Sequence, residues 1–525
     1  MISKINLVKI NSILIILFPF AMVSGPLIPE IFLSVIVFSF IYLVVSLKKY
    51  FYFDNNFIKF FSLIFIVLNI SSLINFNLIS IKSSLFYFRF GLFAMAIFFF
   101  LNEDKKLLKN FFKFFSILIL IFLIDSLYQF FTGTNLIGMT QNINGRISSF
   151  FGDELIMGSF FSHLFLFYFT LFLWIKPKIN KLAITIIILS FLILIFLSAS
   201  RTSMAIFFLS LFFLIIILKE FKLFFIIILI SILSIFFMNK YDNQKINRLV
   251  VHTKNQLFEN TNFINLFSNR HTLHILTAYN IFLDYKIFGA GPKAFRILCD
   301  NNKFIPHKFI NKTNQIKSND DGEIQIFSIN KDLKKDITDK FFESFGKTKY
   351  LNNFTSIIPG EDVYELWTID LNGKKKLLVS VTNRMNYILY LDSKYYKKNE
   401  IILKNLNPEY RNGCNTHPHN FLIQVASETG LVGLFLYIGL LIYFLMGILN
   451  YMSNNRLFKK IFKYDVDVRI SILFCLFLIT FFPILPSGNI FNNWISMLIY
   501  LPVGFLLNLI YTKKISKSKS NDISY

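Results

Sequence analysis

Long apolar runs separated by short polar ones dominate the chain from one end to the other. Each run extends over roughly 17 to 23 residues, the length a helix rising about 1.5 Å per residue needs to cross about 30 Å of hydrocarbon. The pattern predicts about twelve membrane-spanning helices. They lie near Val8 to Leu27, Ile31 to Leu47, Phe57 to Ile79, Ser84 to Phe100, Phe111 to Phe131, Glu154 to Ile175, Leu182 to Leu197, Thr202 to Leu218, Phe221 to Met238, Gly430 to Asn450, Ile470 to Leu485 and Phe491 to Tyr511.

One polar interruption is much longer than the rest and covers residues 239–429. Its early part, 262–298, has helical spacing. From about 301 to 412 it turns β-rich: Val363 to Ile369 and Leu377 to Val381 flank Asn372-Gly373, a dipeptide that favours a tight hairpin turn. The expected fold is an all-α polytopic membrane protein whose large loop carries a small β-rich insert. Nine helices occupy 1–238, three more occupy 430–511, and 512–525 form a basic tail. No internal repeat of 20–50 residues is evident, nor the paired broken helices of an inverted-repeat transporter.

Composition agrees with lipid as the solvent: 55% of residues are hydrophobic and 69 are Phe, with a mean hydropathy of +0.57. The net charge of +24 could suggest a nucleic-acid partner, but the basic residues stand in clusters between apolar runs, such as Lys105/Lys106/Lys109, Arg456/Lys459/Lys460/Lys463 and Lys513/Lys514/Lys517/Lys519. That distribution reports topology, so no nucleic acid is expected. The clusters are assigned to the cytoplasm together with both termini, and residues 239–429 to the opposite side. The first run ends near Pro26 like a signal peptide, but it leads directly into a second apolar run and is read as a retained span.

Arginine is scarce outside the cytoplasmic clusters. Arg89, Arg146, Arg201 and Arg270 fall at the opposite boundary, where a planar fork of donors suits a phosphate or diphosphate, although each could simply anchor at the interface. Arg201 lies in a polar hairpin, Ser198-Ala-Ser-Arg201-Thr-Ser203, where an anchoring cation is not required. A second cluster is Thr416-His417-Pro-His419-Asn420, followed by Gln424 and Glu428-Thr-Gly430. Imidazole titrates near neutrality, so a histidine there could take a proton from a hydroxyl or hold a phosphate. A His-x-His pair could also bind a metal, but no further ligand set accompanies it by spacing, and neither a metal nor a cofactor is expected. Asp125 and Gln129 lie one helical turn apart inside a span, and Asp125 is expected to pair with an arginine or amide. His163 reads as a satisfied interior residue.

In order along residues 85 to 510, the chain resembles the O-antigen ligase and O-antigen polymerase superfamily, integral membrane glycosyltransferases of the bacterial envelope. The resemblance is carried by Gly145-Arg146-Ile-Ser-Ser-Phe150, Ser200-Arg201-Thr202, Arg270 with Tyr285-Lys-Ile-Phe-Gly289-Ala-Gly291-Pro292 and Phe295, His417-Pro-His419-Asn420 with Glu428-Thr-Gly430, and Pro486-Ser-Gly-Asn489 with Asn493-Trp494. It implies an inner-membrane enzyme working on the periplasmic face. There Arg201 and Arg270 engage the diphosphate of an undecaprenyl-diphosphate-linked glycan donor, with Arg146 and Arg89 as further candidates, and His419 activates the acceptor hydroxyl. The acceptor would be a glycan or lipid A-core, and the transfer inverting and metal-independent. His417, Asn420, Glu428 and Asp125 are secondary candidates. The chain departs from the common pattern in its long insert between Gly291 and His417 and in its doubled histidine.

A ligase and a polymerase that extends lipid-linked repeats need the same groups, so both readings stand. A transporter of the lipid-linked sugar would instead need charges along several spans. Of the three cysteines, Cys475 lies in a span, whereas Cys299 and Cys414 bracket the insert in the segment assigned to the oxidising side, so a disulfide between them is expected.

Overall fold

A computed structural model gives the fold. It describes residues 4–141, 145–177, 180–221, 247–251, 253–254, 258, 267–299, 301–304, 414–453, 462 and 464–521, with strand segments between 317 and 405. Among the described residues, nine helical stretches are long and apolar enough to cross a membrane: Lys4–Ala21, Leu27–Ser46, Asn56–Ile74, Leu78–Glu103, Leu107–Thr132, Met157–Ile175, Arg201–Leu218, Phe421–Ser453 and Asn493–Thr512. Two shorter apolar helices are Lys181–Leu197 and Val468–Thr480. The chain is a polytopic helical membrane protein. The span expected from Phe221 to Met238 falls, beyond Phe221, outside the described residues.

In chain order the helices are α1 (Lys4–Ala21), α2 (Leu27–Ser46), α3 (Asn56–Ile74), α4 (Leu78–Leu85), α5 (Phe88–Glu103), α6 (Leu107–Thr132), α7 (Met157–Ile175), α8 (Lys181–Leu197), α9 (Arg201–Leu218), α10 (Asn269–Asp284), α11 (Phe421–Ser453), α12 (Val468–Thr480) and α13 (Asn493–Asn521). Several boundaries differ from expectation for local reasons. The apolar run Phe57 to Ile79 is two helices, because the Asn77 side chain accepts from the backbone N–H groups of Ile79 and Ser80 and so caps a new one. The helix expected from Glu154 begins at Met157, and Asp153 and Glu154 lie in the turn before it. α12 stops at Thr480, three residues before Pro483, rather than running to Leu485. Within 262–298 the described helices are Asn269–Asp284 and a single turn at Phe295–Leu298, and 262–266 lie outside the described residues.

The chain divides into two compact units. The first comprises Met1–Leu266, Ile287–Pro292 and Asn420–Tyr525. Its interior is an aromatic lattice: Phe505 of α13 packs on Phe111 of α6 and Phe167 of α7, with ring centroids 4.9 and 5.0 Å apart, and Phe165 packs on Phe207 of α9 at 4.9 Å. Such ring pairs add directional preference to the bulk of their packing.

The second unit comprises Phe267–Lys286 and Lys293–His419. It contains α10 and seven strand segments: β1 (Lys317–Ser318), β2 (Ile324–Phe327), β3 (Lys349–Asn353), β4 (Val363–Ile369), β5 (Lys375–Thr382), β6 (Asn386–Leu391) and β7 (Glu400–Asn405). They pair in the orders β1-β2-β6-β3 and β5-β4-β7. β4 and β5 run antiparallel, Val363 opposite Thr382 and Ile369 opposite Lys375, and Asn372-Gly373 between them lies outside the described residues.

Candidate functional site

Two places in the first unit collect the residues that the sequence singles out. The first is the turn from α8 to α9. Ala199 takes φ 48°, Ser200 caps α9 by accepting from the Ser203 amide, and Arg201 is the first helical residue, half-buried. Arg146 is tied to this turn: its Nε donates to the Ser198 carbonyl at 3.2 Å and its Nη2 to the Leu155 carbonyl at 3.0 Å. The Ile147 amide donates to the Leu197 carbonyl at 3.3 Å. Arg146 therefore braces the hairpin from which Arg201 emerges.

Asp125 and Gln129 of α6 support the same loop from inside. Both are fully buried. Asp125 accepts from the Leu136 amide at 2.8 Å and from the Ser149 hydroxyl, and Gln129 accepts from the Ser149 amide at 2.9 Å and donates to the Met139 carbonyl at 3.2 Å. Among the described residues, Asp125 is thus met by a hydroxyl and a backbone amide. Arg89, second residue of α5, pairs with Glu30 of α2 at 3.0 Å and lies 4.9 Å from the Phe90 ring centroid. It is already neutralised by a carboxylate. His163 bonds the Ser159 carbonyl one turn back at 2.8 Å.

The second place is a break in α11. Gly430 interrupts that helix with φ 65° and ψ −163°, and the Ile287–Pro292 segment lies against the break. The Ala290 amide donates to Ser427 O and the Gly291 amide to Glu428 O, both at 2.9 Å, while the Val432 amide returns to Ile287 O at 3.2 Å. α3 closes the third side, where Ser71 donates to Glu428 O and Asn75 to Gly289 O, each at 2.9 Å. Just ahead of the break, Gln424 donates to Glu428 at 3.0 Å and to Asn489 at 2.8 Å, and accepts from the Ile490 amide at 3.2 Å. Asn420 starts α11 by accepting from the Ile423 amide and donates to Pro483 O at 2.6 Å. Asn420 and Glu428 are therefore engaged in framing this end of α11. A cavity of about 110 Å³ lies beside the break, lined by Val67, Leu68, Thr429, Tyr437, Phe481 and Phe491 among others.

In the second unit, Arg270 is the second residue of α10, and its side chain lies outside the described residues. Ser268 caps this helix by accepting from the His271 amide at 3.3 Å. One turn of α10 delivers His271 and His274 to the His417-Pro-His419 loop. The His419 ring lies 5.1 Å from His271, 5.2 Å from His274 and 4.0 Å from His417, centroid to centroid. Spacing alone identified only His417 and His419. The missed signal is Arg270-His271-x-x-His274, whose i, i+3 spacing puts both imidazoles on one helical face. His419 itself takes φ 55°, a sparsely populated conformation that costs about 1–3 kcal/mol and recurs at functional sites. No group of three or more His, Cys, Asp or Glu among the described residues is arranged to hold a metal ion.

Cys299 and Cys414 are joined as a disulfide with Cα atoms 4.9 Å apart and 115 residues between them in sequence. The bond fixes the chain five residues ahead of His419. Closing a loop of this length stabilises the folded state by about 4–5 kcal/mol in the chain-entropy description. Non-reducing mass spectrometry of the purified protein is expected to recover one peptide pair containing both cysteines. Alkylation of both thiols without reductant would rule the bond out.

No known family model matches the sequence, and no curated protein matches it.

Proposed function

We propose that the protein is an O-antigen ligase-like membrane glycosyltransferase of the bacterial inner membrane. It moves a glycan from undecaprenyl diphosphate to a surface acceptor such as lipid A-core. The reading includes twelve spans, both termini in the cytoplasm, and the α8–α9 turn, the imidazole cluster and the β-rich insert on the periplasmic side.

The observation that carries it is the position of Arg201. A cation on the first residue of a helix opposes the positive end of the helix dipole, at a cost of about 0.3–1 kcal/mol. An anion there is favoured by the dipole and the guanidinium together. Arg270 has the corresponding place at the start of α10. A lipid diphosphate is the anion that a polytopic membrane enzyme would meet at such a place. Arg146 and Arg89, each already bonded within the fold, serve the frame of the site.

The chemistry proposed is one displacement. The acceptor hydroxyl oxygen attacks the anomeric carbon, its proton passes to His419, and the bond from that carbon to the diphosphate oxygen breaks with inversion. Charge accumulates on the departing diphosphate, where fixed guanidinium donors stabilise it in a water-poor site. The donor is already activated, so neither metal nor nucleotide is required.

The glycan profile of a deletion strain tests the reading. Unattached lipid-linked polymer is the expected result. Single repeats on the acceptor would instead identify a polymerase, and an unchanged surface glycan would end the proposal. A second expected outcome concerns the fork geometry. Arg201→Lys and Arg270→Lys keep the charge but lose the bidentate donors, and each should lower transfer by about 10²-fold, the scale of losing one charge-stabilising donor. Full activity in both would reduce these arginines to interface anchors.

A further inference from the structure

Asn415 lies between the Cys299–Cys414 disulfide and the histidine loop, and its side chain makes two bonds that together fix a proton. The Thr416 backbone N–H lies 2.6 Å from Asn415 Oδ1. A backbone N–H can only donate, so that atom is the amide oxygen and the amide orientation follows. The Asn415 NH₂ group then faces His419 Nε2 at 2.9 Å. An NH₂ can only donate, so Nε2 accepts, and the neutral imidazole carries its proton on Nδ1. Protonation at Nε2 would set two donors against each other.

The surroundings act in the same direction. Among the described residues, the rings of His271 and His274 from α10 and of His417 from its own loop face His419. A charged imidazole at 4.0–5.2 Å disfavours a second charge on His419.

We infer that Asn415 is a positioning residue: it holds His419 neutral in the Nδ1–H form, with Nε2 as the lone-pair atom that receives the acceptor's proton. The catalytic half of this statement rests on the transferase reading; the tautomer half does not. When the acceptor hydroxyl arrives it takes the place of the Asn415 amide at Nε2, so the resting bond orients the ring for the incoming donor. Because the amide bonds only the neutral form, losing it raises the pH at which His419 becomes neutral, and a carboxylate in its place raises it further.

The test uses the full-length protein in lipid nanodiscs, comparing the unaltered chain with Asn415→Ala and Asn415→Asp. Diethyl pyrocarbonate acylates only the neutral ring, so its reaction at His419, resolved from His417 by tandem mass spectrometry, gives a titration midpoint that does not depend on transfer activity. The midpoint is expected to rise in Asn415→Ala and to rise in Asn415→Asp by about one pH unit or more. The acidic limb of the transfer profile should move by the same amounts. Recovery of the Cys299–Cys414 peptide pair in each variant shows that the segment is folded. Equal midpoints in all three folded proteins would overturn the inference. Shifted midpoints without glycan transfer in the unaltered protein would uphold Asn415's hold on the tautomer and remove the transferase reading instead.

Discussion

Transfer is expected to fall by about 10²- to 10⁴-fold in His419→Ala, the contribution typical of a positioned general base. Four imidazoles meet here, so the prediction depends on why His419 and not another carries the role. It is the ring that approaches the other three, at 5.1, 5.2 and 4.0 Å from His271, His274 and His417. It also carries the positive φ of the loop and the Asn415 bond. His417 is engaged at its Nδ1 with the Thr416 hydroxyl at 2.9 Å. His417→Ala should be milder, by about tenfold or more, because His417 contacts the base ring and does not itself serve as the base. In vitro transfer with the variant reconstituted at equal amounts is the measurement. A larger loss in His417→Ala would move the role to that residue, and full activity in both would remove histidine from the mechanism.

The features legible from sequence share one property: they depend on a segment's own composition. The lengths of the apolar runs in α6, α7 and α9 follow from how many residues a bilayer demands. The helical spacing around Arg270 to Phe288 likewise reappears as α10. What was not legible depends on partners distant in sequence. Gln424, Ser427, Glu428 and Thr429 are polar, so the span was expected to begin after them at Gly430. They are instead buried inside α11: the side chains of Ser427, Glu428 and Thr429 bond Gln424 O, the Gln424 amide and Val425 O within the helix, and Gln424 in turn bonds Asn489 and the Ile490 amide. Burial of polar groups at low cost needs such partners, and a pairing such as Gln424 with Asn489 leaves no trace in local periodicity.

The same limit governs the histidines. His271 and His274 are separated from His419 by the whole insert, and only the fold brings their rings together. Asp125 shows the same limit from the other side. A carboxylate in an apolar run calls for an arginine or an amide, and here the Leu136 amide meets the demand together with the Ser149 hydroxyl. Hydroxyls and backbone amides are too common in any sequence to nominate one in advance.

The largest effect on folding is expected at the α11 break. Gly430 has φ 65° and ψ −163°, a region essentially reserved for glycine, where another residue costs about 1–3 kcal/mol before any contact is considered. A Cβ added there would also run into the Ile287 carbonyl. Gly289, with φ 72°, faces the converse collision: its Cβ would meet the Thr429 and Glu428 backbone. Both obstacles are main chain held by the Gly291–Glu428 and Ala290–Ser427 bonds, so neither can turn aside as a flexible side chain would. Gly430→Ala and Gly289→Ala are thus each expected to destabilise by several kcal/mol, about the sum of backbone strain and lost bonds. Gly439 supplies the control within the same helix: nothing lies within 4 Å of its added Cβ, and Ala there should be neutral or stabilising by up to about 1 kcal/mol through helix propensity. Thermal unfolding of the three detergent-purified variants, followed by exposure of the buried Cys475 thiol to a maleimide dye, makes the comparison. Melting at one temperature for Gly430→Ala, Gly289→Ala and Gly439→Ala would show that the glycine latch is dispensable.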